Sequence, residues 1–155
     1  KIRNLILNKR IEFNKNTDLL LYLAARSENI ALLKKNFRRK IILIDRFVDS
    51  TIAYQHYGFG LNKSLINFIN RHLLGNLKVD FTFLNIVDKK NMLKRLSKRK
   101  NLNRYDKFDN LFYQKVQKGF LKLSKLNQNK YQIVNSNLDK NLNKLLIIKK
   151  IDKLI

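Results

Sequence analysis

Ile41-Ile42-Leu43-Ile44-Asp45-Arg46-Phe47-Val48-Asp49-Ser50-Thr51-Ile52-Ala53-Tyr54-Gln55 is the stretch on which the fold is read. Four consecutive apolar, mostly β-branched residues bounded by polar ones read as a short strand buried on both faces, the habit of parallel sheets. An Asp-Arg pair follows at its carboxyl end, where open parallel α/β sheets bind their ligands. Ser50, ahead of Ile52 and Ala53, reads as a helix N-cap. On the helix it starts, Ser50 and Tyr54, and likewise Thr51 and Gln55, stand four apart and share faces.

Upstream, Asn16-Thr17-Asp18 is a polar entry to a long helix running to about Lys40, with Leu19, Leu20, Leu23, Ala24, Ile30 and Leu33 as its buried stripe. Tyr22 and Arg26 are neighbours on one face of it. Residues 2 to 8 read as a shorter helix. Downstream, Asn62 to Gly75 reads as an amphipathic helix with Leu65, Ile66, Ile69 and Leu73 inward and Gly75 as its stop. Asp80 to Val87, rich in Phe81, Phe83, Leu84 and Ile86, is the next strand. A helix from Asp88 to Lys98 leads into a basic connector, Arg95 through Arg104. Phe108, Phe112, Val116, Phe120 and Leu123 mark a long core helix. Tyr131 to Val134 is the last strand, Asn135-Ser136-Asn137 its turn, and Leu138 to Ile155 the final helix.

A chain of 155 residues, 45% of them hydrophobic, is read as a single domain spanning 1–155 with one core. It has no Cys, so neither a disulfide framework nor a thiolate metal site is available. His56 and His72 have no acid or Cys at ligand spacing. The longest apolar runs fall short of the roughly 20 residues that span a bilayer, so no membrane partner is expected and a cytoplasmic location is. The net charge of +23 invites a nucleic-acid reading. Lysines spread from end to end among leucines and isoleucines instead suggest a solvated surface, and no specific nucleic-acid partner is expected.

The run Asp-Arg-x-x-x-Ser-x-x-Ala-Tyr-Gln, followed by Gly58-Phe59-Gly60, resembles the signature of bacterial thymidylate kinases. Leu19-Leu20-Leu21-Tyr22-Leu23-Ala24-Ala25-Arg26 resembles that family's leucine-leucine-aromatic-x-Ala-x-Arg helix. Asp80-Phe81-Thr82 and the Arg95 to Arg104 connector resemble its fourth strand and its lid, about 95–106. The chain departs from the pattern at Asn85-Ile86, where relatives show Leu-Asp. Asp88, two residues on, is the candidate replacement.

The resemblance implies a three-layer αβα P-loop kinase fold with a parallel sheet, and transfer of the terminal phosphoryl group of ATP to dTMP with Mg²⁺. The family's amino-terminal strands and Gly-x-x-x-x-Gly-Lys-Ser/Thr phosphate loop have no counterpart in these 155 residues, which are therefore expected to be inactive alone. By the same resemblance Asp45 anchors the metal or a phosphate-binding arginine, Arg46 clamps the acceptor phosphate, and Arg99 is the lid cation nearest the transferred group. Tyr22 stacks on thymine, Arg26 bonds its exocyclic oxygen, and Ser50, Tyr54 and Gln55 hold the nucleoside. Arg95, Arg104 and Asn135 serve ATP or anchor the lid. A homodimer is implied. The rival readings are another nucleotide or deoxynucleoside kinase, and a basic nucleic-acid-binding module without catalysis.

Overall fold

A computed structural model describes residues 2–8, 10–36, 40–100 and 103–155. They cluster into two compact units, Lys1–Lys78 with Leu102–Leu123, and Val79–Asn101 with Ser124–Ile155. The second boundary falls inside the segment read as the lid.

The first unit is helical. α1 (Ile2–Leu7) precedes α2 (Lys15–Lys34). α2 begins two residues before the expected start, because the Asn14 side chain accepts the Thr17 N–H at 2.9 Å and takes the cap. It ends at Lys34 rather than near Lys40, and residues 37–39 lie outside the described ones. Leu19, Leu23 and Ile30 are buried, as their spacing requires, whereas Leu20 is exposed. α3 (Val48–Thr51) runs directly into a π-helical segment, Ile52–Gly58. Ser50 is not the cap: Phe47 occupies that position, no side chain caps it, and Ser50 lies within α3. α4 (Lys63–Leu74) is capped by Asn62 and ends at Gly75, with Ile66 and Asn70 buried and Leu65 exposed.

Leu19, Leu23, Ile52, Ile66 and Leu123 form one core cluster, and Ala53, Phe112 and Val116 another. Between them they join α2, the π segment, α4 and α6 (Asn110–Leu126). Close approach of the π segment and α6 depends on missing side chains. A Cβ on Gly119 would lie 2.5 Å from the Tyr57 ring, and one on Gly58 2.6 Å from Phe112, so any larger residue must displace a packed aromatic.

One expectation fails here. Residues 41–44 form no strand ladder among the described residues, and Ile41, Leu43 and Ile44 are 67%, 83% and 43% exposed. A continuous apolar run is buried on both faces only when neighbouring strands and covering helices are present, and within this unit the run has no such strand beside it.

In the second unit, β1 (Thr82–Ile86) pairs with β2 (Tyr131–Asn135) in parallel, from Thr82 opposite Tyr131 to Ile86 opposite Asn135. Leu84 and Val134 are its buried residues. α5 (Lys89–Ser97) follows β1, and α7 (Lys140–Ile151) follows β2, each capped by an aspartate, Asp88 and Asp139. Strand, helix and parallel strand make the chain α/β. Among the described residues, no helix is long and apolar enough to cross a membrane.

Candidate functional site

Asp18, Tyr22 and Arg26 stand on successive turns of α2 and therefore on one face. Asp18 is 3% exposed, and a carboxylate so placed must be matched. It is matched by donors from two other elements. Arg104, in a 3₁₀ turn at Arg104–Lys107, forms an ion pair with Oδ1, and the Tyr105 hydroxyl donates to Oδ2. The Gln55 amide nitrogen donates to Oδ2 at 3.3 Å. The turn that presents Arg104 and Tyr105 is held by a capping box between Asn103 and Asp106.

Arg104 also lies over the rings of Phe13 and Tyr105, at 5.3 and 5.2 Å. Burial lowers its pKa, but the hydrogen bond and charge of Asp18 outweigh this and raise it. Burial, with Tyr22 and Asp18 nearby, pushes the Tyr105 hydroxyl well above the ordinary tyrosine range, so it remains a donor. Burial likewise raises Tyr22, and the neighbouring Tyr105 hydroxyl partly offsets it. Tyr105 meets Tyr22 and Tyr54 edge-on, with ring centroids 5.8 and 6.0 Å apart.

One turn along α2, Arg26 reaches the start of α3. Its two terminal nitrogens donate to the carbonyls of Arg46 at 3.1 Å and Phe47 at 2.9 Å, with its guanidinium 5.0 Å from the Phe47 ring centroid. Burial lowers its pKa and Asp49 partly offsets the shift. Arg46 has φ 63°, a left-handed conformation that costs a side-chain-bearing residue about 1–3 kcal/mol and that surrounding contacts must hold. Those contacts are the Arg26 bond to its carbonyl and its own Nη1 donating to the Tyr54 hydroxyl at 2.9 Å. Burial lowers Arg46, but Tyr54 first and then Asp45 outweigh it, leaving the net shift upward.

Tyr22, Arg26, Arg46, Tyr54 and Gln55 thus converge in the first unit, with Ser50 half-buried in α3 and Asp45 exposed beside Arg46. Arg104, read as serving ATP or anchoring the lid, is brought to Asp18 among these residues. Three participants were not singled out as site residues: Asp18, read only as part of a cap; Tyr105, which no motif marked; and Thr51, read only as Gln55's partner. Thr51 is 4% exposed and its hydroxyl oxygen has no partner among the described residues; the same holds for Gln55 Oε1. The signal for Asp18 was present, since it falls four residues before Tyr22 on the same face.

In the second unit Arg95 donates to the Ser136 carbonyl at 2.5 Å, which brings it to the Asn135-Ser136-Asn137 turn. Asn135 is exposed at the carboxyl end of β2; its side-chain oxygen accepts the Asn137 N–H at 3.0 Å. Asp88 caps α5 through Asn91 at 2.7 Å. Arg99 is exposed just after α5. Among the described residues, no group of three or more His, Cys, Asp or Glu is placed to hold a metal ion. His56 is engaged at Nδ1 with the Leu61 carbonyl, 2.8 Å away.

The family model described as thymidylate kinase matches residues 1–147. A thymidylate kinase of Trichodesmium erythraeum is 40% identical over 131 residues, covering 81% of this chain and 58% of the relative. One from Thermosipho africanus is 36% identical over 131 residues, covering 83% and 65%. The chain thus spans less than two thirds of the length of these curated relatives. The crystal structure of thymidylate kinase from Ehrlichia chaffeensis superposes with a TM-score of 0.71 at 32% identity, covering 97% of this chain and 72% of that one.

Proposed function

Because the chain belongs to the thymidylate kinase family, we propose that its reaction is transfer of the terminal phosphoryl group of ATP to dTMP, giving dTDP for dTTP synthesis. The observation that supports this most is the convergence of Tyr22 and Arg26 from α2 with Arg46 and Tyr54, two cations and two aromatic rings in one cluster. A flat, neutral base with acceptor oxygens requires stacking and a charged donor; an acceptor phosphate requires a clamp. Tyr22 stacks on thymine and Arg26 bonds its exocyclic oxygen. Arg46 leaves the Tyr54 hydroxyl for the phosphate, and the Tyr54 ring then crowds the position of a ribose 2′-hydroxyl. Ser50 and Gln55 complete the nucleoside contacts.

Arg95 and Asn135 hold ATP in this reading, and Arg99 closes on the equatorial oxygens of the transferred group, where negative charge develops. Arg104 is assigned as the anchor of the lid's carboxyl end on Asp18. Mg²⁺ takes one or two carboxylates plus substrate phosphates, and exposed Asp45 fits as one such ligand. The bound ion would neutralise charge on the phosphates. A homodimer and a cytoplasmic location complete the proposal.

Replacing Arg26 by Ala tests it, in these residues joined to a relative's phosphate-loop segment. KM for dTMP is expected to rise at least about 10-fold, the loss of one charge-assisted hydrogen bond, with KM for ATP little changed. Steady-state kinetics varying each substrate in turn reads the difference. Equal effects on both would remove Arg26 from the base pocket.

A further inference from the structure

Tyr54 is half-buried, and rings from two other elements pack against it. Tyr105, from the 3₁₀ turn, has its ring centroid 6.0 Å away; Phe112 and Phe120, both on α6, lie at 6.0 and 6.3 Å. The three rings meet Tyr54 edge-on, at 73°, 64° and 78°. Phe112, Val116 and Phe120 are spaced by four and share one face of α6. Phe112 is held in its turn, with centroids 4.5 Å from Phe108 and 4.8 Å from Phe59. Gly58 and Gly119 let the π segment that carries Tyr54 come this close to α6. Arg46, an exposed side chain, lies over the same ring at 5.2 Å and donates to its hydroxyl at 2.9 Å.

The proposed reaction takes Arg46 to the acceptor phosphate, and Tyr54 then loses the hydrogen bond that tethers its hydroxyl. That is when its ring must exclude a 2′-hydroxyl. A ring excludes an oxygen atom only if it cannot draw back, because a wall that yields by the size of that atom rejects nothing. We propose that Phe112, Phe120 and Tyr105 are positioning residues for sugar selection: they brace the Tyr54 ring so that it keeps its place once Arg46 is engaged with phosphate. Edge-on aromatic pairs attract beyond the area they bury, and a close-packed interior resists the displacement that a 2′-hydroxyl would require. In this role the three residues act through Tyr54 and not on the nucleotide. The ligand class selected is the 2′-deoxyribonucleoside monophosphate. This inference rests on the thymidylate reading and deepens it, from the base to the sugar.

The test compares dTMP with 5-methyluridine 5′-monophosphate, which differs only in its 2′-hydroxyl, by calorimetric titration into the chain and its Phe120→Leu variant. Phe120 is half-buried, and Leu keeps much of its apolar bulk while removing the ring. The unaltered chain is expected to favour dTMP at least about 10-fold, the order of forcing extra volume against packed side chains. In Phe120→Leu the preference is expected to narrow at least about 3-fold, the order of one lost aromatic pair, through tighter binding of the ribonucleotide and not weaker binding of dTMP. Phe120→Tyr, which restores a ring, restores the preference. A merely structural role would weaken both nucleotides alike; a preference that Phe120→Leu leaves intact therefore overturns the inference alone. Equal binding of both nucleotides to the unaltered chain also overturns it, while dTMP binding still upholds the thymidylate reading. No binding of dTMP overturns both. Should circular dichroism show the variants unfolded, the 2′-O-methyl analogue of the ribonucleotide is titrated into the unaltered chain. A braced ring rejects it at least about 10-fold further than the 2′-hydroxyl; binding equal to the ribonucleotide's shows a ring that gives way and overturns the brace.

Discussion

Given ATP, Mg²⁺ and dTMP, a polypeptide of these 155 residues releases ADP no faster than the protein-free control, and the same residues preceded by a relative's phosphate-loop segment exceed it by at least about 10²- to 10³-fold. Phosphoryl transfer rests almost wholly on positioning and on charge stabilisation. The four glycines of the sequence stand at 58, 60, 75 and 119, and none opens a Gly-x-x-x-x-Gly-Lys-Ser/Thr run. No cradle of backbone N–H groups and no phosphate-loop lysine is therefore supplied from these residues. Arg46 and Arg99 attract phosphates without fixing ATP in line with its acceptor. Removing one preorganised donor typically costs that factor, and here a whole set is absent. A coupled ADP-release assay on both polypeptides decides it. Comparable rates would show that the chemistry does not depend on such a loop.

Replacing Asp18 by Leu is expected to lower unfolding stability by about 3–5 kcal/mol, the usual loss when one partner of a buried ion pair is removed. The cost comes from what is left behind. The Arg104 side chain, only 13% exposed, loses its counter-charge, and the Tyr105 hydroxyl and Gln55 amide lose their acceptor. Urea unfolding followed by circular dichroism measures it. A loss under about 1 kcal/mol would mean that water reaches the cluster and that the pair behaves as a surface one.

Periodicity reached most of the fold, because the spacing of apolar residues is a local property. The cores of α2, α4 and α6 and the paired strands at Thr82–Ile86 and Tyr131–Asn135 fall largely where helical stripes and apolar runs put them. The pairing of Ile41–Ile44 was not legible, since an apolar run records a preference for burial and not whether a neighbouring strand is there. Nor was the π segment: the change from four-residue to five-residue bonding after Thr51 lies in the hydrogen-bond pattern and leaves no mark in residue type. At the site, the motif residues of α2 and of 45–55 were legible because they sit at fixed spacing within one element each. Arg104's partner was not. Asp18 lies 86 residues away in the chain, and only the fold brings the two together.

The exposed run Ile41–Ile44 also bears on how this polypeptide behaves in a test tube. An exposed, apolar, unladdered segment is a template onto which another chain can add a strand, the first step of aggregation. The +23 charge opposes that step by keeping molecules apart. Added salt shortens the range of this repulsion, from about 8 Å at physiological ionic strength to about 3 Å at 1 M, and leaves the apolar attraction in place. Colloidal stability therefore lies with dilute, low-salt solutions, and concentrated brine drives these molecules together.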